Sequence, residues 1–85
     1  MTGRDLDVFK MLATSYVLRG SWFWRKAEIE RRLNAFDIVA DADDSLQKIC
    51  KVGWLSQSLG DFFELTEQGR IQARAMVKPS TAGSR

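Results

Sequence analysis

The chain has 85 residues, 45% of them apolar, and its 13 Lys and Arg against 11 Asp and Glu leave a formal net charge of +2. That length supports one small domain rather than two, and the apolar share with three tryptophans argues for a packed core over disorder. A single cysteine, Cys50, and the absence of histidine exclude an internal disulfide and a Cys/His zinc site, while so small a net charge does not by itself announce a nucleic-acid partner.

Residues 5–19 carry the three- and four-residue spacings of a helix. Leu6, Phe9, Ala13, Tyr16 and Val17 form one stripe, and Val8, Met11, Leu12, Ser15 and Leu18 a second, partly apolar one. A helix apolar over so much of its circumference is deeply buried or shared with a partner, which makes helix-mediated self-association a hypothesis. Gly20 is placed to end it as the C′ residue. Ser21-Trp-Phe-Trp-Arg25 then reads as a short extended segment, with Trp22 and Trp24 on one side and Phe23 on the other. Two readings stand here: sheet and core packing, or an exposed aromatic patch for a partner or stacked bases.

A second helix is predicted over residues 26–34, with Ile29 and Leu33 inward and Phe36 and Ile38 continuing the buried face. Asp41-Ala-Asp-Asp44 introduces a third over residues 45–52, with Leu46, Ile49 and Cys50 inward, Asp43 or Asp44 as N-cap and Gly53 closing it. Residues 54–56 and 62–65 form a hairpin around the turn residues Ser58-Leu59-Gly60-Asp61. Thr66 is then an N-cap with Glu67 in the first turn of a last helix, residues 67–77, whose apolar contacts are Ile71, Ala75 and Met76. Residues 78–85 are small, polar and turn-prone, and are expected to form a flexible tail.

Little in the chain points to catalysis. Without histidine there is no usual acid–base triad, and Cys50 reads as a buried small hydrophobe. Asp41-Ala-Asp-Asp44 lacks the turn glycine and the distal glutamate of a calcium loop. Glu28 and Glu30 have Arg31 and Arg32 beside them, which favours surface pairing. No enzyme activity, cofactor or metal is expected. No apolar run approaches the roughly 20 residues that span a bilayer, and Met1-Thr-Gly-Arg-Asp-Leu-Asp7 lacks a secretory signal's apolar segment. A soluble cytoplasmic protein without membrane contact is expected.

The whole is mainly α with a small β-hairpin, in the order helix, strand, helix, helix, hairpin, helix over residues 5–77. Three stretches carry a resemblance: Ala27-Glu-Ile-Glu-Arg-Arg-Leu33, Leu46-Gln-Lys-Ile-Cys-Lys-Val-Gly-Trp-Leu55 and Phe63-Glu-Leu-Thr-Glu-Gln-Gly69. Together they resemble a winged helix-turn-helix domain, and the last looks like the aromatic-x-Leu-Thr-x-x-Gly ending of wings in MarR- and PadR-like bacterial or phage regulators. The resemblance implies a transcriptional regulator that binds double-stranded DNA with its third helix in the major groove and its hairpin as the wing. Mapped onto this chain, it implies that Ser45, Gln47, Lys48 and Lys51 face the groove, Gln47 reading adenine and the lysines guanine or phosphate. Arg25, Lys26, Arg31 and Arg32 would hold phosphates from the second helix. A homodimer through the first and last helices is a further expectation.

Residues 35–47 contain Asp37, Asp41, Asp43 and Asp44 and no Lys or Arg, and Asp61 stands at the wing tip where a cation would grip DNA. These acids and the aromatics motivate an alternative: a protein-interaction winged helix, an adaptor or inhibitor of a nucleic-acid machine. Asp41, Asp43, Asp44, Asp61 and Trp22 would then meet the basic groove of a protein partner.

Overall fold

Thr2 and Asp5 start the first helix, α1 (Gly3–Arg19), in the computed structural model, which describes residues 1–77. The Asp5 N–H donates to Thr2 Oγ1 at 3.4 Å, and the Thr2 N–H donates to Asp5 Oδ2 at 2.8 Å. This reciprocal capping box moves the helix start two residues ahead of the predicted one. Gly20 closes the helix with φ 76°, as its C′ role required. Val8, Phe9, Met11, Leu12 and Ala13 are buried, so both apolar stripes reach the core, while Leu6 and Leu18 stay exposed. The breadth of that surface has a cause inside the chain: α1 packs on both the third and the last helix. The expected tail, 78–85, lies outside the described residues.

Three strands, β1 (Phe23–Arg25), β2 (Leu55–Ser58) and β3 (Phe62–Leu65), form an antiparallel sheet in the order β1-β3-β2. Trp24 opposes Phe63 and Leu55 opposes Leu65, and all four side chains are buried. The alternate positions, Phe23, Arg25, Ser56 and Ser58, face solvent. Trp22 corrects the pairing predicted for the tryptophans. It precedes the strand, and instead of sharing the burial of Trp24 it lies edge-on to Phe23 with Arg70 over its ring at 5.2 Å.

The second helix, α2 (Lys26–Ala35), buries Ile29 and Leu33 as expected, but Phe36 is 65% exposed. The reason is the turn beyond it. Asp37 takes a left-handed conformation, φ 56°, and the Ile38 N–H returns to the Leu33 carbonyl at 2.9 Å, which swings Phe36 outward while Ile38 packs on the core. The third helix, α3 (Ala42–Lys51), begins three residues earlier than predicted because Asp41, rather than Asp43 or Asp44, is its cap, accepting from the Asp44 N–H at 3.2 Å. Thr66 caps the last helix, α4 (Glu67–Met76), as expected, accepting from the Gly69 N–H at 3.0 Å. Gly69 and Ala73 are its buried positions; Ile71 and Ala75 are exposed and only Met76 of the predicted contacts packs on the core. Among the described residues no helix is long and apolar enough to cross a membrane.

Candidate nucleic-acid interface

Burial of Ala42, Ser45, Leu46 and Ile49 fixes the rotation of α3 and leaves Asp43, Asp44, Gln47, Lys48 and Lys51 outward. Ser45 was expected on the outer face and is corrected. It is 2% exposed, and its Oγ donates to Asp5 Oδ1 at 2.6 Å, joining α3 to the start of α1. The Ser45 hydroxyl and the Thr2 N–H lower the pKa of Asp5 from 3.8 to about 2. A carboxylate that stays ionised to unusually low pH therefore sits under α3, 3.9 Å from Lys48 Nζ.

Each of the four clustered acids has a local role. Asp37 forms the left-handed turn after α2, and Asp41 caps α3. Asp43 lies 2.6 Å from Lys26 Nζ, and Asp44 lies 2.9 Å from Lys48 Nζ, one helical turn on. Both lysine pKa values are raised, chiefly by the hydrogen bonds the ammonium groups donate to these carboxylates. Two of the four charges are thus paired within the chain. The same pairs also hold two of the lysines assigned to DNA.

The remaining cations divide in two. Arg32 donates to Glu28 at 3.0 Å and to the Ser15 hydroxyl, which ties α2 to α1. Arg25, Arg31 and Lys51 are exposed and form no ion pair among the described residues. Gln47 Nε2 donates to Gln57 Oε1 of β2 at 2.9 Å, and Gln57 donates to the Gly60 carbonyl. Helix α3 and the hairpin thus share one polar surface.

Asp61 lies, exposed, in the three-residue turn 59–61 at the hairpin tip, as expected. Its carbonyl accepts from the Lys26 N–H at 2.8 Å, and Leu59, across Gly60 in the same turn, is 92% exposed with φ 52°. Sequence reasoning missed Gln57 and Leu59. An apolar residue between Ser58 and Gly60, where turn chemistry is polar, was the available signal. Cys50 is half-buried, and burial pushes its thiol pKa up, so it stays protonated and poorly nucleophilic. Among the described residues no three His, Cys, Asp or Glu side chains gather where they could hold a metal ion. Comparison with known families, curated proteins and solved structures returned no match.

Proposed function

We propose that the chain is a winged helix-turn-helix domain of the MarR- and PadR-like kind that binds double-stranded DNA as a small transcriptional regulator. In this reading α3 enters the major groove and the β2–β3 hairpin is the wing. The observation that carries it is the Gln47–Gln57 hydrogen bond, which joins the outward face of α3 to the hairpin in one polar surface ending at Lys51. Gln57 holds the Gln47 amide by its donor side, and Gln47 is the residue type that pairs bidentately with adenine. Arg25, Arg31 and Lys51 take phosphates. Lys26 and Lys48 exchange their carboxylates for phosphates at small cost, since exposed ion pairs are worth little. The adaptor reading keeps Asp43, Asp44 and Asp61, since the same exposed pairs are as readily given up to a basic partner, while Asp41 is engaged as the cap of α3.

The test is binding to mixed genomic DNA across a salt series. Counterion release predicts a log–log slope of about −3 if only the three unpaired cations engage, and about −5 if the two lysines join them. Lys51→Ala and Arg31→Ala should each reduce that slope by about 1. Failure of any DNA to bind at low salt ends the proposal.

A further inference from the structure

Helix α1 and the end of α2 enclose an open groove of about 530 Å³, none of whose lining residues belongs to α3 or the hairpin. Leu18 of α1 and Phe36, just past α2, line it and are 62% and 65% exposed, together with Met11 and Ile38. The exposure of Phe36 is built in. The Phe36 N–H is held by the Arg32 carbonyl at 3.0 Å, and the left-handed Asp37 turn follows directly. Val39, 77% exposed, extends the apolar surface past the groove.

Two further features say what fits. The lining runs along α1 from Asp7 to Arg19, about 18 Å at 1.5 Å per residue, the length of a three-turn helix. Lys10 and Arg19 stand near its two ends, neither forms an ion pair among the described residues, and together they outnumber Asp7, the one carboxylate of the lining. We propose that the groove receives an amphipathic helix of a second protein, with an apolar stripe at three- and four-residue spacing and Glu or Asp on its flanks. Leu18 and Phe36 grip the stripe, and Lys10 and Arg19 select the acidic flanks. A second copy of this chain fits less well. An antiparallel α1 pairing that sets Met11 against Leu18 of the copy also sets Lys10 against its Arg19, like charge against like.

The inference is independent of DNA binding, and its test keeps the two apart. The full chain, labelled for amide NMR, is titrated with a synthetic helix of about 14 residues carrying a leucine stripe and glutamate flanks, and with its twin carrying lysine flanks. The glutamate peptide should shift the amides of Met11, Leu18 and Phe36, and the lysine peptide should bind roughly tenfold more weakly. Lys10→Glu with Arg19→Glu should reverse that preference. Leu18→Asp, a change at an exposed position, should abolish peptide binding and leave DNA binding as it was. Equal binding of both peptides, no binding of either, or shifts confined to α3 and the hairpin would overturn the proposal. So would a dimer in sedimentation that Leu18→Asp converts to monomer, which would assign the groove to a second copy.

Discussion

Gly69→Ala should destabilise the protein, although alanine is the better helix former. Gly69 lies in the first turn of α4, and its N–H donates to Thr66 Oγ1 at 3.0 Å. A Cβ there would stand 1.9 Å from the Trp54 carbonyl oxygen, 2.9 Å from its carbon and 3.1 Å from Leu65 Cδ2. The carbonyl cannot simply retreat. It accepts from the Thr66 N–H at 3.1 Å, and Thr66 Oγ1 donates to the neighbouring Gly53 carbonyl, so α4 is pinned to the chain entering β2. Relieving the clash requires backbone movement, costing about 1–3 kcal/mol, and weakens a hydrogen bond worth about 1 kcal/mol. Alanine's helix propensity returns about 1 kcal/mol. The net loss is about 1–3 kcal/mol, or a fall in Tm of roughly 5–20 °C for a domain of this size. Gly3→Ala supplies the control. Nothing lies within 4 Å of its missing Cβ, and a gain of about 0.5 kcal/mol is expected. Urea denaturation of the three proteins at one pH measures both changes. A Gly69→Ala protein as stable as the parent would refute the close-approach argument.

Asp5 makes stability depend on acid in a defined direction. Its folded pKa of about 2 lies below the ordinary 3.8, so its contribution is present above pH 3.8 and lost as pH falls through about 2. Asp5→Asn should therefore lower the urea midpoint at pH 7 by more than at pH 2; a constant difference across that range would contradict the assignment. At Asp37, φ 56°, glycine removes the left-handed penalty, and Asp37→Gly should raise stability by about 0.5–1 kcal/mol in the same assay. Asp43→Asn and Asp44→Asn release Lys26 and Lys48 and remove two negative charges from the α3 face. Under the DNA-binding proposal the double variant should bind DNA at least roughly threefold more tightly at low salt, measured by fluorescence anisotropy. Unchanged or weakened binding would show that this face of α3 does not meet phosphate.

Local chemistry made much of the architecture readable. Thr66 capping α4, Gly20 closing α1 and the turn residues between β2 and β3 each act through neighbours within a few residues, which a sequence displays directly. The Leu-Thr-x-x-Gly ending also has a physical basis here, since Thr66 holds two backbone points and Gly69 lets α4 approach Trp54. The errors lie where the deciding partner is remote or where one cap was misplaced. Starting α3 at Ser45 put that residue on the outer face; its true partner, Asp5, lies forty positions away and leaves no local pattern. Phe36 looked like core because its apolarity was visible and the left-handed backbone at Asp37 was not. The partners of the acidic run were hidden for the same reason. Read along the chain it is a block of one sign, whereas in space Lys26 reaches Asp43 from another helix and Lys48 reaches Asp44 from the next turn. The α3 face is therefore polar and close to neutral. Under the DNA-binding proposal, attraction comes from Lys51, Arg25 and Arg31 together with whichever lysines give up their carboxylates, which is why the salt slope separates the two modes of engagement.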